Sequence, residues 1–248
     1  MNPLFIRRLS IDREALPAGS YLRGLAAVRR GSLAFHRPVT FFVGENGTGK
    51  STLMEAIAVA FGLNPEGGSR SFRFSTRDTH SPLYRALTLE KNPLTPRDAF
   101  FLRAESLYNA ATYIEELDAN PRDGSPPIIG AYGGKSLHEQ SHGESFLALV
   151  QNRFHGGGLY LLDEPEAALS PIGQMTLLAR IHALAGQGAQ FLIATHSPLL
   201  ITCPDSEVYE FLGSGPRLTP YQETAHYQVV RGFLNKPEET LRVLLGEP

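Results

Sequence analysis

Residues 39–61 read VTFFVGENGTGKSTLMEAIAVAF, and three physical signatures follow one another within them. Val39 to Val43 is an apolar run after Pro38, suited to a strand buried on both faces. Gly44 to Ser51, GENGTGKS, fits the G-x-x-x-x-G-K-[ST] pattern. From Lys50 to Phe61 the apolar residues Leu53, Ile57, Ala60 and Phe61 fall at helical spacing. Strand, glycine turn and helix in that order are the context the pattern needs. The glycines let the backbone wrap tightly, so that successive N–H groups converge on phosphate oxygens at the positive end of the helix. This reading assigns Gly44, Glu45, Asn46, Gly47, Thr48, Gly49, Lys50, Ser51 and Thr52 to a nucleotide-phosphate cradle. Lys50 bridges the β- and γ-phosphates and the Ser51 hydroxyl ligates Mg²⁺. The competing reading, an ordinary glycine-rich turn, is weak in that setting.

Further along, Leu159 to Pro165 reads LYLLDEP. A buried strand that delivers Asp163 at its C-terminal end sets a carboxylate beside the phosphate cradle, where it can hold Mg²⁺. Glu164 points elsewhere and is the preferred group to orient or deprotonate an attacking water. Glu166 is a third nearby acid and a rival for that role. His196, in THSP after the apolar run Gln190 to Ala194, lies 33 residues beyond Asp163. A strand end at the same sheet edge puts its imidazole near the γ-phosphate. A lone strand-end histidine is more often an ordinary surface residue, so its weight rests on the company it keeps.

The rest of the chain fits an α/β domain with a mostly parallel sheet flanked by helices. Strands are expected at Leu4–Ile11 (Leu4, Ile6 and Leu9 inward), Leu33–Phe35, Ala99–Leu102, Leu159–Leu162 and Gln190–Ala194. Helices are expected at Glu105–Leu117, Ser145–Phe154, Pro171–Ala185, Glu223–Phe233 and Pro237–Leu245. Gly62 to Arg97 is irregular, and Ala119 to Gly134 is a breaker-rich loop. The chain reads as one domain over 1–248. Its nucleotide-binding core is 1–61 and 155–248, and 62–154 forms a lobe.

Composition narrows the classes. Among 248 residues, 23 basic against 25 acidic side chains leave a net charge of −2, which excludes a chain that is basic overall. A local basic patch is still open. No apolar run approaches the roughly 20 residues of a membrane span, and the N-terminus lacks the apolar stretch of a secretory signal. A single cysteine, Cys203, excludes a disulfide framework and a cysteine-built zinc site, and fits a reducing cytoplasm. His80, His138 and His155 have no partners at metal-ligand spacing.

In this order the pieces resemble the ABC-type ATPase superfamily of P-loop NTPases. The family's signature, usually LSGGQ, has its counterpart in Gln140-Ser141-His142-Gly143-Glu144, with Gln140 replacing leucine and His142 replacing the first glycine. The resemblance implies that Ser141, Gly143 and Glu144 contact the γ-phosphate of a nucleotide held by an opposite subunit. A plain helix N-cap is the rival reading. The N-terminal LFIRRLSI, the EAI at Glu55–Ile57 and THSP look like the SMC/RecF-type branch. FFLRAES, QSHGESF, LDEPEAALSP and ATHSPLL look like small stand-alone predicted ATPases. The implied fold adds an N-terminal antiparallel portion and a small helical lobe before the signature. Lys50 and Ser141 are 91 residues apart with no heptad pattern between them, so no SMC-like coiled-coil arm is present. Two departures stand out. No glutamine follows the Ala99–Leu102 strand, Glu105 being the nearest substitute, and the loop after the acidic strand ends Ala168-Leu169-Ser170 rather than ALD.

The resulting expectation is an ATP-hydrolysing, Mg²⁺-dependent, cytoplasmic homodimer that sandwiches two ATP molecules and drives or gates a separate effector protein. No membrane insertion is expected. Alternatives are the ATPase subunit of a membrane transporter and a non-hydrolysing ATP-gated binding module. A nucleic-acid partner enters through Arg70, Arg73, Arg77 and Arg85 interleaved with Phe72, Phe74 and Tyr84; the plainer reading is a solvated loop or arginines that contact the nucleotide.

Overall fold

Pro38 hands over to β3 (Val39–Gly44), which is buried from its first residue to Val43, as its mostly apolar run predicts. The structure, a computed structural model, describes residues 3–69, 81–104 and 133–246, with positions 111, 112, 115, 118, 119, 129 and 130 between them. The remaining strands are β1 (Ile6–Ile11), β2 (Ser32–Ala34), β4 (Gly68–Ser69), β5 (Leu87–Lys91), β6 (Ala99–Arg103), β7 (Leu159–Asp163), β8 (Gln190–Ala194), β9 (Ser206–Leu212) and β10 (Gly215–Leu218). The helices are α1 (Lys50–Phe61), α2 (His142–Arg153), α3 (Pro171–Gly186), α4 (Ala225–Asn235) and α5 (Pro237–Leu245).

A seven-stranded sheet runs β10-β9-β3-β8-β7-β6-β4. Its five inner strands are parallel and its two edges antiparallel. Neighbouring residues of each inner strand face opposite sides, because strand side chains alternate. Thus Phe42, Phe101, Leu161 and Leu192 join one apolar cluster, while Phe41, Phe100, Leu162 and Ile193 join another. The first cluster is closed by α1 and by a small antiparallel sheet, β2-β1-β5. The second is closed by α2 and α3. This explains why β3, β6, β7 and β8 are almost wholly apolar.

The side-chain amide of Gln190 joins the two sheets. Its Oε1 accepts from the Ile6 N–H at 2.9 Å and its Nε2 donates to the Ile6 carbonyl at 2.8 Å, both buried. One side chain thus replaces a strand neighbour for Ile6.

Several expected boundaries move. β1 begins at Ile6, not Leu4, and a bulge between Ile6 and Arg8 breaks its alternation. Leu4 is only partly covered. α2 begins at His142, before the expected Ser145, because Ser141 caps it. α4 begins at Ala225 rather than Glu223, after a tight turn at Tyr221–Glu223. β4, β5, β9 and β10 were not anticipated. The expected helix at Glu105–Leu117 and the loop at 119–134 fall largely outside the described residues; so do Glu105, Arg70, Arg73, Arg77, Phe72, Phe74 and His80.

Candidate nucleotide site

All five parallel strands end at one edge of the sheet, where ligands of open α/β folds sit. Cross-strand register places Arg103, Asp163, Ala194 and Phe42 in one row. The chain then leaves β3 into the glycine loop, β7 into Glu164 and β8 into Thr195 and His196.

The loop is shaped by close approaches that only glycine allows. Gly44 has φ 146°, and a Cβ there would lie 2.8 Å from the Phe211 carbonyl on β9. Gly49, at φ 95°, would push a Cβ to within 3.1 Å of Ala27 and Leu25. Gly49 is also the residue from which α1 starts. Inside the loop the Lys50 ammonium donates to the Gly44 carbonyl at 2.7 Å and the Glu45 carbonyl at 3.1 Å. Burial lowers the Lys50 pKa, while Glu164, Asp163 and Glu166 pull the other way.

Ser51, in the first turn of α1, donates its hydroxyl to Asp163 Oδ1 at 3.0 Å. The expected metal pair is therefore brought together across 112 residues. Two adjacent hard oxygens suit Mg²⁺, which takes one or two protein ligands and leaves the rest to phosphate and water. Among the described residues no group of three or more His, Cys, Asp or Glu is arranged to hold a metal.

Glu164 adopts φ 50°, ψ 51°, in the left-handed region. Few residues other than glycine, asparagine and aspartate accept this. Its N–H donates to the Ala194 carbonyl at 2.9 Å, which fixes the turn, and Pro165 follows. The Glu164 carboxylate lies 3.7 Å from His196 Nε2. That nitrogen is buried and makes no hydrogen bond. Burial and the nearby Lys50 cation hold the His196 pKa below its ordinary value.

Two working residues escaped the sequence reading. Glu166, weighed there only as a rival base, faces away from that task. Its carboxylate accepts from the Thr195 hydroxyl at 2.7 Å and from the His196 N–H at 2.5 Å. It fixes the backbone that carries the imidazole. Thr195 and Ser197 complete the turn. The Thr195 hydroxyl accepts from Ser197 N–H, and the Ser197 hydroxyl accepts from the N–H groups of Leu199 and Leu200. The second is Arg103, where a glutamine had been sought just downstream. Its guanidinium lies 3.4 Å from Asp163 and 3.5 Å from Glu55. The signal was the strand FFLR itself, whose arginine falls opposite Asp163.

A cleft of about 900 Å³ opens over the loop. Gly44, Glu45, Asn46, Thr48, Glu164 and His196 line one side. Phe211 to Gly213 and the α4 residues Ala225, His226 and Val229 line the other. The His226 and His196 rings meet edge to face, 6.1 Å apart. Gly47, Lys50, Ser51 and Thr52 belong to the same loop and first helical turn.

Ser141, Gly143 and Glu144 are not brought to this cleft. Ser141 caps α2 in a capping box: its hydroxyl accepts from the Glu144 N–H at 3.3 Å, and the Glu144 carboxylate accepts from the Ser141 N–H at 3.0 Å. A Cβ on Gly143 would sit 3.0 Å from the Ala168 carbonyl, so α2 starts hard against the turn that follows Glu164. Ser170, where the resemblance has aspartate, is the N-cap of α3, accepting from the Gly173 N–H. Arg85 stacks its guanidinium over the Tyr84 ring at the surface.

A family model described as "AAA domain" matches residues 21–93, which contain the glycine loop. Another, described as "AAA domain, putative AbiEii toxin, Type IV TA system", matches residues 145–202, which contain Asp163 and His196. A Streptomyces avermitilis protein named "Putative ABC transporter ATP-binding protein" is 29% identical over 78% of this chain; the match spans only 36% of that relative's length. The cytochrome c biogenesis ATP-binding export protein CcmA of Rhodopseudomonas palustris is 28% identical over 75% of this chain and 96% of its own. Among solved structures, cbiO1 from Clostridium perfringens, part of the ABC transporter complex cbiONQ, superposes over 98% of this chain and all of its own. The TM-score is 0.53 at 15% identity. The ADP conformation of MJ1267, an ATP-binding cassette of an ABC transporter, covers 99% of this chain with TM-score 0.51 at 17% identity. Loop, acidic strand and histidine turn meet at one edge of this sheet, in agreement with those likenesses: the chain is similar to the ATP-binding domains of ABC-type P-loop ATPases, a family that hydrolyses ATP.

Proposed function

We propose that this chain binds MgATP over Gly44–Thr52 and hydrolyses it. In this reading Lys50 contacts the β- and γ-phosphates, and Ser51 and Asp163 are the protein ligands of Mg²⁺. The cation, when bound, neutralises charge on the β- and γ-phosphate oxygens. Glu164 orients and deprotonates the attacking water, and His196 donates to the γ-phosphate. Glu166 holds the His196 turn, and Arg103 holds Asp163. The observation that carries the reading is the buried His196 Nε2 without a hydrogen bond, beside Glu164 and over the loop. A buried polar atom left unmatched is costly unless a ligand supplies the partner.

Two copies close face to face in this proposal, each offering Ser141, Gly143 and Glu144 to the nucleotide on the other. Such an arrangement gives a role to signature residues that stand apart from their own cleft. The output is a separate effector, in a reducing cytoplasm that suits the buried Cys203, whose thiol is pushed up to about 11 by burial. A transporter ATPase is the second reading, favoured by the CcmA likeness over nearly the whole of that protein. Among the described residues no helix is long and apolar enough to cross a membrane. SMC/RecF-like work on nucleic acid rests on the first-strand and THSP resemblance, with Arg85 and Tyr84 the only described members of the basic–aromatic set.

The test is a comparison of Glu164→Gln and Lys50→Ala with wild type. Glu164→Gln keeps ATP affinity, loses about 10²–10⁴ in turnover, as removal of a general base does, and accumulates as an ATP-bound dimer. Lys50→Ala loses nucleotide binding. Wild-type turnover in Glu164→Gln sinks the assignment of the base; unchanged affinity in Lys50→Ala sinks the cradle.

A further inference from the structure

No residue of α4 or α5 is buried. Helices of 11 and 9 residues are marginal in water without a packed face. Yet both turn apolar side chains outward. Val229, Leu234, Val243, Leu244 and Leu245 are each about 70–80% exposed, and Phe233 and Leu241 about 40%. Val229 and Phe233 lie one turn apart on α4; Leu241, Leu244 and Leu245 follow i, i+3, i+4 spacing on α5, so each helix presents a stripe. Leaving out Val229, which lines the cleft, and Val243, which lies on the far side of α5, the other five side chains expose on the order of 500 Å² of apolar surface, the size of the largest and often functional patch on a typical monomer.

Charge selects the occupant. Over residues 225–246 three cations, Arg231, Lys236 and Arg242, stand against two acids, Glu238 and Glu239. A helix that lies on a lipid surface has a Lys/Arg-rich polar face; this pair is near balance. α5 is acidic in its first turn, at Glu238 and Glu239, and basic in its last, at Arg242. Under a two-fold axis, antiparallel α5 helices bring Arg242 of each copy opposite Glu238 of the other, an isologous and self-complementary contact. Glu239 is already held by Lys236 at 2.9 Å, which leaves Glu238 for the exchange.

We infer that α4 and α5 are a self-association surface, covered by the same two helices of a second copy of this chain, with no requirement for nucleotide. This pairing is separate from closure around ATP. It keeps two heads at high effective concentration while their clefts are open.

Sedimentation of the full chain without nucleotide, over a range of protein concentration, tests it. Wild type shows a monomer–dimer equilibrium. Leu234→Asp with Leu244→Asp raises the dissociation constant at least tenfold while helical circular dichroism and ATP binding stay unchanged. Arg242→Glu and Glu238→Arg each weaken pairing several-fold, and the two combined restore most of it. That charge exchange keeps the test sharp if the double aspartate variant fails to fold. Lys50→Ala pairs like wild type, so failure of the nucleotide reading leaves this result untouched. A chain that is monomeric throughout, that dimerises only with ATP, or that is indifferent to the leucine variants overturns the inference. So does co-sedimentation with phosphatidylserine vesicles in place of self-association.

Discussion

Glu164 holds a backbone conformation that costs a side-chain-bearing residue about 1–3 kcal/mol, and it is the residue assigned to the water. The turn that imposes the strain is fixed by the Ala194 carbonyl on one side and Pro165 on the other. Removing the carboxylate while keeping the Cβ leaves the strain in place; removing the Cβ as well relieves it. Glu164→Gly is therefore expected to melt about 2–4 °C above Glu164→Ala, the shift that ~1 kcal/mol produces in a chain of this size, with both variants lacking turnover. Equal melting temperatures in a thermal scan would show that the strain is not stored there. At this scale the sequence was legible where residue type and spacing foretell which side chains meet, as with Ser51 and Asp163. Glu166 was not legible. Its two hydrogen bonds reach about thirty residues along the chain to Thr195 and His196, and nothing local distinguishes a positioning carboxylate from a catalytic one.

Elements repeat the pattern. β3 and α1 were readable almost to the residue, because a buried parallel strand and an amphipathic helix each have a plain period. β9 was missed because two of its seven residues are acids, and a strand with buried acids reads as a polar tail. The structure satisfies both. Glu207 accepts from the N–H groups of His36 and Arg37 and from the Thr40 hydroxyl, and Glu210 accepts from the Ala225 N–H that opens α4. At α2 the signature-like motif and the helix cap are the same residues. Ser141→Ala is expected to cost ~1 kcal/mol, the usual loss for a serine N-cap. Nucleotide affinity of the single chain should be unaltered, since Ser141 is away from its own cleft. Calorimetric melting paired with nucleotide titration checks both halves. Ser141 holds the Glu144 carboxyl below its ordinary value. The reciprocal cap is therefore whole at neutral pH, and its contribution is lost as the pH falls through that lowered value.

For the whole molecule, stability lies in the two apolar layers that sandwich the main sheet. Phe154, fully buried, stacks on Tyr160 with ring centroids 4.0 Å apart and planes 13° apart, and touches Phe100 and Phe191. Burial and the Asp98 carboxylate push the Tyr160 phenol pKa well up, so this stack keeps its hydroxyl through the alkaline range. Phe154→Ala is expected to cost about 3–5 kcal/mol, read as a fall in melting temperature of roughly 10 °C. A loss below about 1 kcal/mol by denaturant titration would mean that the layer repacks. The layered class was evident from alternating strands and helices. Which strands flank β3 was not, since both neighbours, β8 and β9, come from far along the chain.

That last arrangement governs the order of events at the ribosome. β1 and β3 are made early, yet the Gln190 amide that completes Ile6 follows 184 residues later, and β9 ends only at Leu212. At about 5–20 residues per second, the Ile6 backbone waits roughly 10–40 s for that amide. Through that interval the glycine loop lacks the Phe211 backbone against which Gly44 packs. A nascent chain carries the whole phosphate motif long before it has anything to press it into shape.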